Sequence, residues 1–153
     1  MRFFKQRSDY DCGITSLQSI LTKFKVNLAW QVIFDLCQQT YKQDITITGT
    51  GIGGMRNTLK YVNKTTNRKL RLRVINHCGF LKLKRFIDEG YSVILNGYNQ
   101  DLTENHFMVF YGYTDKYYKI FDPGKGKHKR LTKDKLKTLW TYNGKRGVII
   151  IYE

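Results

Sequence analysis

Asp11-Cys12-Gly13-Ile14-Thr15-Ser16-Leu17-Gln18-Ser19-Ile20-Leu21-Thr22-Lys23-Phe24 is the stretch from which the rest of the chain can be read. Ile14, Leu17, Leu21 and Phe24 recur at the spacings of an amphipathic helix, with the apolar stripe on one face. Asp11 stands where an N-cap belongs. That places Cys12 in the first helical turn. A thiol reacts as its thiolate, and a helix N-terminus favours the anion. Gly13 beside it leaves room for a substrate backbone. Position alone leaves a second reading of Cys12 open, that of a small buried hydrophobe.

Outward from this helix the first half stays helical. Trp30, Ile33, Phe34 and Cys37 give a second helical face, and Met55, Leu59 and Val62 a third. Thr50–Gly54 reads as a glycine-rich turn between them. Gly49–Gly54 lacks the lysine and the preceding strand that a phosphate loop needs, so a turn is the simpler reading. From residue 70 the period changes. Leu70, Leu72 and Val74 alternate with Arg71 and Arg73, as in a half-buried strand. Phe80–Ile87 reads as a short helix stopped by Gly90. Ser92–Asn96, Phe107–Tyr113, Tyr117–Phe121 and Val148–Tyr152 read as strands, with a hairpin turn at Thr114–Lys116. Thr132 is placed to cap a helix carrying Leu136, Leu139 and Trp140. The expected class is α+β, an N-terminal helical half packed on a C-terminal antiparallel sheet.

The 153 residues carry one proline and no linker-like or repeated segment, so one domain over 1–153 is expected. No apolar run approaches the ~20 residues of a bilayer span, and the first residues lack the apolar core of a signal peptide. Three cysteines, at 12, 37 and 78, do not make a disulfide framework. A reducing, cytoplasmic setting is expected. The paired Cys and His spacings of a zinc site are absent, so no metal and no cofactor are expected. The net charge of +15 invites an anionic partner. The basic residues are spread along the chain without a groove-reading motif, which disfavours nucleic acid. His77 and Cys78 are sequence neighbours that a strand would point to opposite faces, and His128, among lysines, reads as surface.

A nucleophilic cysteine needs a base, and the base needs an orienting group. His106 opens a predicted strand and Asp122 ends its hairpin partner, so both sit at one end of the pair. Each has a plainer reading, a satisfied strand-end histidine and an Asp-Pro-Gly turn. Gln6, six residues before Cys12, could add a side-chain amide to the Cys12 N–H as an oxyanion site. Gly13, Asn105 and Phe107, flanking Cys12 and His106, are the candidate substrate contacts.

In order along the chain, Gln6-Arg7-Ser8-Asp9-Tyr10-Asp11-Cys12-Gly13, His106-Phe107-Met108-Val109 with Ile120-Phe121-Asp122-Pro123-Gly124, and Leu131-Thr132 leading to Leu139-Trp140-Thr141 resemble the double-glycine leader peptidases that process bacteriocins. Those are papain-like domains found at the N-terminus of peptide-exporting ABC transporters. The resemblance implies a papain-like cysteine peptidase fold. It implies Cys12 as nucleophile, His106 as base and acid, Asp122 as its orienting partner and Gln6 as oxyanion donor. It further implies a leader peptide cut after Gly-Gly, and association with a transporter's membrane domain at the cytoplasmic face. Basic residues beside the leader groove would suit an acidic leader. Two alternatives stay open: a papain-like hydrolase with another peptide substrate, and an inactive basic binding module on the same fold.

Overall fold

The computed structural model describes residues 1–99 and 101–153. Helices α1 (Cys12–Lys23), α2 (Trp30–Gln38), α3 (Ile45–Thr48) and α4 (Ile52–Thr65) come first. There follow β1 (Arg71–Ile75), α5 (Phe80–Asp88), β2 (Ser92–Tyr98), β3 (Asn105–Tyr113), β4 (Tyr118–Asp122), β5 (Lys127–Leu131), α6 (Lys133–Trp140) and β6 (Gly147–Tyr152). Among the described residues the strands form one antiparallel sheet in the order β1-β6-β2-β3-β4-β5.

The centre of the sheet is buried on both faces. On one face Ile94, Val109, Phe121, Ile149 and Ile151 meet Ile14, Leu17, Leu21, Ile33, Met55, Leu59 and Val62 of α1, α2 and α4. On the other, Val93, Leu95, Met108, Phe110, Ile120, Val148 and Ile150 meet Leu83, Phe86, Leu136 and Trp140 of α5 and α6. This two-sided burial is why Val148–Ile151 is apolar without alternation: neighbouring side chains point to opposite faces and both faces are dry. The helical half does pack on the sheet as expected, and the two later helices cover its far side.

Two local expectations are corrected, and one strand appears that the sequence analysis did not assign. Gly53 and Gly54 lie inside α4, not in a turn before it. A Cβ on Gly54 would meet the Cys37 sulfur at 2.7 Å, so glycine lets α4 and α2 approach closely. That packing outweighs the ~1 kcal/mol that glycine costs a helix interior. Lys127–Leu131 is a strand that its charged sequence does not announce. It is the sheet's outer edge, where lysines guard against further pairing. The Asp11 side chain makes no cap to the α1 backbone N–H groups. Thr132 does cap α6, accepting from the Lys135 N–H.

Candidate active site

Cys12 opens α1 and is 9% exposed. It lines a cavity of about 290 Å³ with Asp9, Tyr10, Thr46, Gly49, Thr50, Glu104, Asn105 and Phe107. The space beside Gly13 is filled by protein: a Cβ there would lie 3.0 Å from Thr50, 3.1 Å from Met55 and 3.1 Å from Phe107. Gly13 therefore seats α1 against its neighbours on the side where a side chain would point. Asn105 and Phe107 do line the cavity.

The register of β3 and β4 sets Val109 opposite Phe121, which brings the start of β3 beside the end of β4. There His106 Nε2 donates to Asp122 Oδ1 at 2.8 Å, with both side chains buried. Burial would lower the imidazole pKa. The hydrogen bonds to Asp122 and Cys12, with the charges of both, outweigh it and raise the pKa to about 9. Burial would likewise raise the Asp122 pKa. The hydrogen bonds and charges of His106 and Lys129 hold it well below the usual carboxylate range instead. Lys129 Nζ donates to Asp122 Oδ2 at 2.7 Å, and the Gly124 N–H donates to Oδ1 at 3.0 Å.

Gln6 reaches the same corner. Its backbone N–H donates to the Pro123 carbonyl at 2.9 Å, tying the N-terminal segment to the turn after Asp122. Its Nε2 donates one proton to the Ser8 carbonyl at 2.7 Å, and the amide has a second. Gly124 keeps the corner open, since a Cβ on it would lie 3.2 Å from Asp122 Oδ1, 3.3 Å from His106 Cε1 and 3.4 Å from Gln6 Oε1.

Asp11 holds the loop between Gln6 and Cys12 in shape. Its buried carboxylate accepts from the Arg7 N–H (3.0 Å), the Ser8 N–H (3.0 Å) and hydroxyl (3.2 Å), the Thr15 hydroxyl (3.4 Å) and the Trp30 indole N–H (2.8 Å). One carboxylate thus joins the loop, α1 and α2.

The Cys12 cavity continues both ways. On one side Gly49, Thr50, Asn105 and Phe107 are shared with a space of about 610 Å³ that Tyr41, Lys42, Gly51, Ile52 and Asn96 complete. On the other, Asp9, Glu104 and Asn105 are shared with a pocket of about 180 Å³ lined also by Gln6, Asp101, His106, Asp122 and Lys125. An extended peptide crossing Cys12 would run between the two. A thiol and an imidazole–carboxylate pair at the middle of a peptide-sized cleft are the parts of acyl transfer through a thioester.

The Peptidase C39 family matches residues 1–149. The chain belongs to that family. Its fold resembles the peptidase domain of Streptococcus ComA, a bi-functional ABC transporter involved in quorum sensing, at TM-score 0.73 and 22% identity, over 98% of this chain and 96% of that one. A double glycine motif protease from an AMS/PCAT transporter, solved with the leader peptide, matches at 0.72 and 19%, over 98% and 89%. The peptidase domain of Streptococcus mutans ComA matches at 0.65 and 19%, over 100% of both chains. No curated protein matches the chain. The protein is a cysteine peptidase with the papain-like C39 fold.

In this C39 peptidase the cleft does not gather the excess positive charge. Lys42 and Lys125 are its lining cations, against Asp9, Asp101 and Glu104. The lining gives no support to the expectation of a basic groove for an acidic leader. Cys37 and Cys78 are buried in the two cores, and burial pushes both thiols up to about 11. His128 is exposed, packs its ring on Phe3, Tyr111 and Phe121, and bonds the Tyr111 hydroxyl. Asp11 and Lys129 escaped the sequence reading as site residues. For Asp11 a signal existed, its place one residue before the thiol. Lys129 has none, being one basic residue in a run of them. No described helix is long and apolar enough to cross a membrane.

Proposed function

We propose that this chain works as one peptidase unit over 1–153 that removes a leader peptide by cutting after a Gly-Gly pair. The observation that carries the reading is that Cys12, and Gln6, His106 and Asp122 of the adjoining pocket, come from three separate parts of the sequence to one cleft. The Cys12 thiolate attacks the carbonyl carbon of the second glycine. The oxyanion is held by the Cys12 N–H and the second Nε2 proton of Gln6. The C–N bond breaks as His106 gives its proton to the leaving amine. Water then attacks the thioester, His106 takes its proton, and Cys12 is released. Asp122 keeps the imidazole oriented throughout.

The acyl side is the one toward Gly49, Thr50 and Phe107, because His106 serves the leaving amine and lines the opposite pocket. Next to Cys12 the space is small and walled by Tyr10, Thr50 and Phe107, which favours glycines at the bond. The wider space at Tyr41 and Ile52 suits apolar side chains of the leader further back. The solved relative with a leader peptide supports the same substrate class, and the transporter domains among the relatives support a transporter partner at the cytoplasmic face.

The test is mass spectrometry of a panel of double-glycine leader peptides incubated with the wild type and with Cys12→Ala. Cleavage after Gly-Gly by the wild type alone is expected. Cleavage elsewhere would point to another peptide substrate, and no cleavage with an unreactive Cys12 would overturn the reading.

A further inference from the structure

The position of Lys129 follows from register and period. In the β4–β5 pair Ile120 stands opposite Lys129 and Asp122 opposite Lys127. Ile120, Asp122, Lys127 and Lys129 therefore share a face, and Lys129 is the diagonal neighbour of Asp122, within reach of a long side chain. The reach is used: Nζ lies 2.7 Å from Oδ2, and the lysine side chain is 21% exposed against 4% for the aspartate. This is not a solvated pair of the kind worth almost nothing.

The two carboxylate oxygens are divided between different donors. Oδ1 takes His106 and the Gly124 N–H, and Oδ2 takes Lys129. With Oδ2 occupied, the carboxylate cannot turn to offer His106 its other oxygen without disturbing its bond to the part-buried Lys129 ammonium. The same contact divides the charge. An imidazolium facing a lone buried carboxylate would be a reluctant proton donor, whereas a carboxylate already shared with an ammonium holds it less tightly.

We propose that Lys129 is a positioning residue, fixing the Asp122 carboxylate for His106 and sharing its charge so that the imidazolium releases its proton to the leaving amine. This rests on the assignment of His106 as acid and base in the proposed function. The charged or titratable groups around His106 are Cys12 from α1, Asp122 from β4, Lys129 behind Asp122 from β5, and Asp9, Asp101, Glu104 and Lys125 around the adjoining pocket. Of these, Lys129 is the cation bonded to the Asp122 carboxylate itself.

The experiment has two arms. The first needs no substrate: an NMR titration of the His106 ring in Cys12→Ala, in Cys12→Ala with Lys129→Met, and in Cys12→Ala with Lys129→Arg. Lys129→Met is expected to raise the midpoint by roughly one pH unit and Lys129→Arg to restore it. The second follows cleavage of a double-glycine leader peptide. Lys129→Met should lower kcat about threefold with KM held, since a more basic imidazolium is a poorer general acid. The alkaline limb of the rate profile should move up with the NMR midpoint, and Lys129→Arg should recover both. An unchanged or lowered midpoint in a folded Lys129→Met protein overturns the proposal. A raised midpoint with no cleavage by the wild type instead places the failure in the substrate assignment.

Discussion

Raising the pH from 6 to 9 should cost this protein about 3 kcal/mol of folding stability through one residue. His106 has an ordinary pKa of 6.5, and its folded value is about 9. The group binds its proton more tightly when folded, so its stabilisation is complete below about pH 6.5 and is lost as pH climbs through 9. A difference of roughly 2.5 units at 1.36 kcal/mol each comes to about 3 kcal/mol. The ring is 7% exposed, so solvent screening takes little from that figure. Cys37 and Cys78, held near 11 against an ordinary value of 9, add roughly 0.8 kcal/mol of loss between them by pH 9, as the unfolded thiols begin to ionise. The assay is urea unfolding at pH 6, 7, 8 and 9 at constant ionic strength, for the wild type and Asp122→Asn. The hydrogen bond to Asp122 is the largest of the interactions that raise the His106 pKa. The variant should therefore lose no more than about half as much stability over the same range. A wild type that loses no more than the roughly 1 kcal/mol expected of the thiols, or a variant with the same slope, would refute the coupling of His106 to Asp122.

The buried thiols make Cys12 chemically distinct. With pKa values near 11, Cys37 and Cys78 are less than about one part in a thousand thiolate at pH 7.5. Iodoacetamide should add one label to the native protein and none to native Cys12→Ala; equal labelling of several cysteines in the native state would count against the site. Asp11→Ala strips the acceptor from two backbone N–H groups, two hydroxyls and the Trp30 indole. It should lower unfolding stability by about 2–3 kcal/mol and reduce kcat, because the Ser8 carbonyl that orients Gln6 sits in the released loop. A stable but inactive variant would show that Asp11 acts on the chemistry directly.

The parts of this site that were legible in the sequence are those marked by rare residues at element ends. Cys12 begins an apolar-striped helix, and His106 starts one strand where Asp122 ends its hairpin partner, so a tight hairpin brings both to the same end of the pair. Lys129 was hidden because an edge strand has no buried face to imprint alternation, and one lysine among many carries no mark. Asp11 was visible but misassigned. Its side chain satisfies a loop and an indole nineteen positions on, and local capping rules say nothing about a partner brought in by tertiary packing. Gly13 and Gly54 show the same limit from the other side. Glycine announces closeness, but only the fold says whether the neighbour is a substrate or another helix.

The long sequence separation between the site's residues also sets when the site can exist. Asp122 and Lys129 are made more than a hundred residues after Cys12. At ~5–20 residues per second the interval is on the order of ten seconds. During that time the growing chain carries a thiol with no base beside it. A peptidase assembled in this order is born inert, and its chemistry begins only when the last hairpin closes over the first helix.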